Sequence, residues 1–367
     1  MTTTDYSRAL TVTLIKVLTI LVVSQQLATA QDVAAEGTLR HEAKELGIRI
    51  GSAVSFSALS NDPTYAQILG EQFSSITPEN EMKWASVEAT QGVLNFTAAD
   101  QEVLFAQQHG QRVRGHNLVW HSQLPNWLTT GVTNGTISDA ELAVLLQQHI
   151  SAEAGHFAGE IWQWDVVNEP LAEDGTLRPT IWLSHLGTNY IANALIWAHQ
   201  ADPNAKLFLN DFNIEGLGPK SDGMYALVKS LLEQHVPIDG VGFETHLGLQ
   251  FGLPSMIQEN LQRFADLGLE VSITEMDARM ILPTTPALLA QQASVYSEVM
   301  QDCIAVVRCV DFTVWEYTDK YSWIPGFFKG QGAGDIYDAN FNPKPAAVAL
   351  VDALENPVSD KHHHGGR

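Results

Sequence analysis

Basic residues are scarce: the 367-residue chain sets 20 Lys and Arg against 42 Asp and Glu, a formal net charge of −22. Such a surface repels polyphosphates, so nucleic acid is excluded as a partner and a neutral or weakly charged polymer stays open. Cysteine is nearly missing. Cys303 and Cys309 are the only two, and no Cys stands with His at metal-ligand spacing, so no metal site is expected. A glycine-rich phosphate loop is missing too: Gly51, Ser52, Ala53 and Val54 follow one another where an open dinucleotide-binding sheet would need one, and no cofactor is expected. No stretch rich in Pro, Gly or Ser divides the chain, which leaves a single domain.

Long apolar runs are also lacking. The run 17–23 is too short to cross a bilayer. Arg8 and Lys16 precede it, and Ala28, Thr29 and Ala30 follow with the small-x-small pattern of a signal-peptidase site. Residues 1–30 therefore read as a secretory signal cleaved after Ala30, and the mature product as an extracellular protein with no membrane attachment. Cleavage would remove Asp5, Arg8 and Lys16 and leave the chain one charge more negative. Residues 31–37 form a short lead-in, 38–356 the folded domain, and 357–367, with His362 to His364, a disordered tail. In an oxidising compartment Cys303 and Cys309 could close a small loop; two buried free thiols are the other reading. Asn95 with Thr97, and Asn134 with Thr136, fit the N-glycosylation pattern, which matters only in a eukaryotic secretory path. A monomer is expected.

What is abundant is alternation. Strand-like runs over 48–54, 74–77, 112–120, 162–167, 206–210, 240–243, 270–274 and 308–315 are each followed by helix-like segments. The helices fall over 63–73, 97–109, 138–154, 180–200, 220–235, 254–267, 286–304 and 343–354, after a leading helix over 38–46. Ser138 and Glu141 give a capping box to one of them. Eight strand-then-helix units suit the α/β class and a single closed (β/α)8 TIM barrel better than an open doubly wound sheet.

In such a barrel all strand C-termini share one face, and that face carries the chemistry. Two strands end in carboxylates. Trp162, Trp164, Val166 and Val167 read as a buried strand that Pro170 stops, so Asn168 and Glu169 are expected to leave it in extended conformation. Val271 and Ile273 alternate with polar residues before Glu275 and Asp277. A lone Glu at a strand end is usually a surface group; two on one face suit acid/base and nucleophilic work on a glycosidic bond. The other ends are polar and aromatic: Glu79, Asn80 and Lys83; His116, Trp120 and His121; Asn210, Asp211 and Phe212; Glu244 and His246; Trp315, Glu316 and Trp323. Amides, carboxylates and an ammonium match sugar hydroxyls, and indole faces match the C–H faces of sugar rings, although Glu79 with Lys83 could equally be a solvated ion pair and each Trp a core residue.

Taken together, these pieces resemble glycoside hydrolase family ten, the endo-β-1,4-xylanases. The matching stretches run from Gly47–Ala53 through 77–84, 114–121 and 164–170, then Asn210 to Asn213, His246, 273–277, and Trp315 with Trp323, covering roughly residues 40 to 354 in order. The resemblance implies a retaining (β/α)8 hydrolase with Glu169 as acid/base and Glu275 as nucleophile. It implies that Glu79, Asn80 and Lys83 bind the sugar distal to the cleavage point, and that His116, Trp120, Asn168 and His246 hold the sugar at it. Trp315 and Trp323 would wall that sugar, Asp277 would support Glu275, and Cys303 and Cys309 look like the disulfide many members carry. Glu244, a further substrate-site residue, stands where most members have Gln, Phe212 where Tyr is usual, and Glu316 where Gly is common.

A third carboxylate at Glu244 should raise its neighbours' pKa values by repulsion unless it stays protonated, so an altered pH profile is expected with the chemistry intact. Two rival readings remain: a β-glucan hydrolase on the same fold, and an inert carbohydrate-binding protein.

Overall fold

A computed structural model describes residues 37–358; the expected signal, residues 31–36 and tail residues 359–367 lie outside the described residues. Eight parallel strands close on themselves: β1 Arg49–Val54, β2 Ser75–Pro78, β3 Arg112–Val119, β4 Ile161–Asn168, β5 Lys206–Asp211, β6 Gly240–Phe243, β7 Glu270–Ile281 and β8 Cys309–Val314. Each pairs with the next, and β8 pairs back with β1 through Arg49↔Asp311 to Ser52↔Val314. Helices between successive strands cover the outside, as the alternation predicts.

The two faces of the strands differ in chemistry. Outward residues such as Trp164, Phe243 and Phe312 are buried against the helices; Phe243 meets Phe264 edge-on at 5.5 Å and Phe157 meets Trp164 at 6.4 Å. Inside the barrel the alternate positions are mostly polar, with Phe208 packed under Arg114 at 4.9 Å as an exception. Arg114 donates through Nε to Asp165 Oδ2 at 3.0 Å, through Nη2 to Asp165 Oδ1, and through Nη1 to Gln163 Oε1 at 2.6 Å. Ser75 and Thr313 both donate to Asp311, and Thr274 donates to Asn210. Polar interiors are tolerable only when their groups are paired, and this column is largely paired. Room for it is made at Gly242, where an added Cβ would lie 2.1 Å from Asn210 Oδ1 and 2.9 Å from Arg114 Nη2.

Several boundaries differ from those read in the sequence. The segment 180–200 is two helices, Ile181–Leu186 and Tyr190–Ala201, broken at Gly187 with φ 69°. The strand expected to stop at Thr274 runs on to Ile281, because His246–Gly248 pairs with it on one side and Gln331–Gly332 on the other. The Ser138 capping box forms as expected on Asp139–His156. Cys303 and Cys309 are disulfide-bonded, with their Cα atoms 5.4 Å apart, and tie the last turn of Pro286–Ile304 to the start of β8. Between the two readings left open, the structure selects the disulfide.

Positive φ gathers at the site end of the barrel. Glu169, Asn213, Thr245 and Glu316 lie just past β4, β5, β6 and β8 with φ of 52°, 55°, 64° and 64°. This conformation costs non-glycine residues energy and collects at functional sites. Glu169 was expected to be extended because Pro170 follows. Instead its N–H is drawn onto Asn210 O at 2.8 Å and its carbonyl accepts from Arg178 Nε at 3.0 Å, which outweighs the local preference. The φ at Glu316 is one that glycine adopts freely, in keeping with the glycine the family resemblance leads one to expect there.

Glu316 is fully buried; Tyr65 donates to its Oε2 at 2.9 Å while Oε1 has no partner. Burial pushes its carboxyl well above the usual range, and Glu79 adds repulsion. A raised folded-state pKa makes the group cost stability above its unfolded pKa, and the cost disappears as pH falls to that value. Glu316→Gln should therefore stabilise the protein at pH 7 by about 1–3 kcal/mol, with the gain shrinking towards pH 4, measured by urea unfolding at both pH values.

Candidate active site

Asn210, the penultimate residue of β5, ties the site together. Its carbonyl accepts the Glu169 N–H, and its Nδ2 donates to Glu275 Oε1 at 2.8 Å and to Asn168 Oδ1 at 2.8 Å. A third acceptor, Glu244 Oε1, stands farther off at 3.2 Å. A primary amide has two N–H groups, so Glu244 receives the poorest share. The two carboxylates singled out in the sequence thus hang from one residue.

Glu275, 5% exposed, is set for ionisation. Burial alone would raise its carboxyl, but His116, with Nδ1 3.8 Å from Oε1, and His246, with Nε2 3.2 Å from Oε2, outweigh burial and hold it below the usual range. Both imidazoles are themselves anchored. His116 Nδ1 donates to Asp165 at 3.0 Å, and His246 Nδ1 donates to Asp277 at 2.7 Å. Burial would make His246 less basic; the Asp277 and Glu275 carboxylates reverse this and lift it to about 10, so it serves as an imidazolium. Trp323 Nε1 donates to Asp277 Oδ2 at 2.9 Å, and its ring meets His246 at 5.0 Å.

Glu169 is set the other way. Burial raises its pKa and the Glu275 charge raises it further, against the nearby cations Arg178 and Lys220. His121 Nε2 stands 3.7 Å from Glu169 Oε2; burial and the same two cations hold His121 down at about 4, so it is a neutral neighbour. Two carboxyl groups with opposite shifts in one cleft are a division of labour.

The remaining residues picked out in the sequence join the same surface. Lys83, 5% exposed, has Nζ 4.8 Å from the Trp120 ring and 5.8 Å from the Trp315 ring, and Trp315 meets His116 edge-on at 5.1 Å. Burial lowers the Lys83 pKa against the Glu275 and Glu79 charges. Glu79 is raised by burial, and Asn80 sits between it and Lys83, its carbonyl accepting the Lys83 N–H at 3.2 Å. On the Glu169 side Phe212 is clasped by Lys220 Nζ, 3.4 Å from the ring centroid, and by Arg178 at 5.3 Å. Lys220 also meets Asp211 and Glu173, each at 3.0 Å.

Glu244, 2% exposed, is raised well above the usual range by burial and by repulsion from Glu275 and Glu169. Of the two alternatives drawn from the sequence, it is the protonated one.

Sequence reasoning named Asn210 and Asp277 but did not single out Arg114, Asp165, Arg178 or Lys220. Arg114 and Asp165 carry a signal, being opposite charges in otherwise apolar strands, and Asn210 closes such a run. Arg178, in a loop, and Lys220, in the first turn of the helix Pro219–Glu233, carry none, since exposed loops and helix starts are full of such residues.

Residues 38–353 match Glycosyl hydrolase family 10. An endo-1,4-beta-xylanase of Agaricus bisporus is 47% identical over 313 residues, 84% of this chain and 92% of the relative. One from Thermotoga neapolitana, endo-1,4-beta-xylanase B, is 41% identical over 88% of this chain and 93% of its own. Among solved structures, xylanase 10B from Thermotoga petrophila RKU-1 in complex with xylobiose superposes with a TM-score of 0.83 at 40% identity, covering 87% of this chain and 97% of that one. With the match running from the first described helix to the last, this chain belongs to glycosyl hydrolase family 10.

Proposed function

We propose that this protein is a secreted endo-1,4-β-xylanase that cleaves internal linkages of xylan by double displacement, with Glu275 as nucleophile and Glu169 as acid/base. The observation that carries the assignment is the opposite tuning of the two carboxyls. Glu275 attacks the anomeric carbon while Glu169 gives its proton to the departing oxygen. Once Glu275 is esterified its charge is gone and the repulsion on Glu169 falls, which suits Glu169 to take a proton from the incoming water. Hydrolysis of the ester then restores both groups.

His246, fixed by Asp277, donates to Glu275 and keeps it ionised at the start; His116, fixed by Asp165, meets its other oxygen. Lys83, Asn80 and Glu79 offer hydrogen bonds to the sugar distal to the break, and Trp120, Trp315 and Trp323 offer faces and walls. Asn168 offers its amide to the sugar undergoing cleavage, and the buried Asn210 positions it. Xylose lacks the hydroxymethyl group of glucose. Trp323, pinned to Asp277, is therefore the residue expected to crowd out glucans. Named relatives that are xylanases, and a solved relative holding xylobiose, support xylan as the substrate. Secretion rests on residues 1–30, and a mature chain beginning at Gln31 by N-terminal sequencing would establish it; among the described residues no helix is long and apolar enough to cross a membrane.

Glu275→Ala should abolish hydrolysis of xylan and of aryl xylobiosides alike, a loss on the order of 10⁵-fold. Glu169→Ala should lose about 10²–10⁴-fold on xylan yet still release a dinitrophenol leaving group, which needs no proton. Equal losses on both substrates would reverse or remove the assignment. Parallel product analysis on xylan and β-glucan tests the substrate, with short xylo-oligosaccharides from xylan the expected result.

The pH profile of kcat/KM should be bell-shaped, with Glu275 on the acid limb and Glu169 on the alkaline limb. Glu244, raised well above the usual range by burial and by its neighbours' charges, stays protonated while Glu169 titrates and adds no charge to either limb. Glu244→Gln, which keeps a neutral hydrogen-bonding group there, should therefore leave both limbs in place; an alkaline limb that moves to lower pH would mean Glu244 ionises in that range.

A further inference from the structure

The sugar pocket contains three side chains whose possible ligating atoms converge on one point, two of them, His246 Nε2 and Glu275 Oε2, now sharing a proton in a hydrogen bond. His246 Nε2 lies 3.2 Å from Glu275 Oε2 and 3.9 Å from Glu244 Oε2, and one ligating atom from each residue falls within 4.8 Å of the other two. Two metal-ligand bonds of about 2 Å at the tetrahedral angle span about 3.3 Å, which the His246–Glu275 pair already matches and to which Glu244 would close by a small side-chain shift. The donor set, one imidazole and two carboxylates, suits a borderline transition metal better than Ca²⁺ or Mg²⁺, which seek all-oxygen shells.

Further features make this more than a cluster of acids. Glu244 is almost wholly buried, and its Oε2, unlike Oε1, makes no hydrogen bond. His246 is turned with Nδ1 onto Asp277 at 2.7 Å, and Asp277 is fixed in turn by Trp323 Nε1 at 2.9 Å. A carboxylate on the far nitrogen is what orients a histidine with its Nε2 towards an ion. Glu275 Oε1 is likewise held by Asn210 at 2.8 Å, and Oε2, which accepts from His246 Nε2 at 3.2 Å, faces the same point.

We infer that Glu244, His246 and Glu275 form a divalent-cation site that takes Zn²⁺ and that an ion there inhibits the enzyme. On binding, the Nε2 proton of His246 and the proton of Glu244 leave to solvent, and three protein bonds to the ion form with water completing the shell. The ion occupies the lone pair with which Glu275 would attack, so binding of Zn²⁺ and of sugar exclude each other. This inhibition rests on the function proposed above; the binding does not. It also revises the expectation of no metal, which was drawn from spacing along the chain. His246 lies two residues beyond Glu244, but Glu275 comes from the neighbouring β7.

The test is calorimetric titration of Zn²⁺ into the full-length protein in which His362, His363 and His364 are changed to alanine, because that triplet binds Zn²⁺ by itself. One Zn²⁺ per chain is expected, with affinity falling at least tenfold in Glu244→Gln and in His246→Gln, and with Co²⁺ giving visible absorption that xylobiose removes. Ca²⁺ at equal concentration should give no heat. Far-ultraviolet circular dichroism of each variant checks that it has folded. Absence of binding below about 1 mM Zn²⁺ overturns the inference, as does binding that neither substitution weakens. Zn²⁺ binding that depends on Glu244 in a protein inactive on xylan would uphold the site and sink the proposed function instead. Zn²⁺ binding that xylobiose does not displace would sink the inhibitory role.

Discussion

Asn210 is the point on which this structure turns. Its backbone carbonyl takes the N–H of Glu169, its amide nitrogen serves Glu275 and Asn168, and its amide oxygen accepts from Thr274 at 2.7 Å. One residue of β5 therefore fixes residues on β4 and β7, two strands that do not neighbour each other. Catalysis across a glycosidic bond demands that two groups keep their separation within a fraction of an ångström. Side chains on separate strands drift independently unless something is common to both. The absent side chain of Gly242 is part of this arrangement, because any Cβ there would push Asn210 aside.

Beneath Asn210 the barrel is electrostatically layered. Arg114 pairs with Asp165, Asp165 orients His116, and His116 faces Glu275; on the other side Asp277 orients His246, which also faces Glu275. Burial alone would raise the Asp165 carboxyl, but Arg114 outweighs it and leaves Asp165 ionised. A buried charge propagates in this way: each ion is tolerable because the next one pays for its desolvation. Cations surround Glu275 while Glu169 sits higher, where burial is not fully cancelled. The difference between nucleophile and acid is thus built from their neighbours, since the two side chains are chemically the same.

Much of this was legible in the chain because the signals were local. Alternation of strand and helix gave the eight barrel strands in order, and the Ser138 box gave a helix start to the residue. Strand ends carrying Glu169, Glu275, His116 and His246 stood out because polar residues at the end of apolar runs break the pattern. The losses were tertiary. The continuation of β7 to Ile281 depends on partners at His246–Gly248 and Gln331–Gly332, which no local rule anticipates. The conformation of Glu169 was misread for the same reason: the pre-proline preference is real but weaker than two long-range hydrogen bonds. Arg178 and Lys220 matter only because the fold brings them beside Phe212 and Glu169.

The positions with positive φ reveal what the site demands of the scaffold. At the ends of four strands, Glu169, Asn213, Thr245 and Glu316 adopt a backbone that glycine would adopt more cheaply. At Glu169 glycine is not an option, because the carboxyl group is needed and the turn aims it. At Glu316 the same turn occurs without an evident task for the side chain, whose Oε1 is buried and unpartnered. One conformation thus serves chemistry at one strand end and costs stability at another. The fold can carry both because the outer face of the barrel is apolar and fully covered: Trp164, Phe243 and Phe312 on the strands meet Phe157 and Phe264 on the helices and neighbouring segments. A strained and highly charged rim is possible where an unstrained, uncharged layer lies directly behind it.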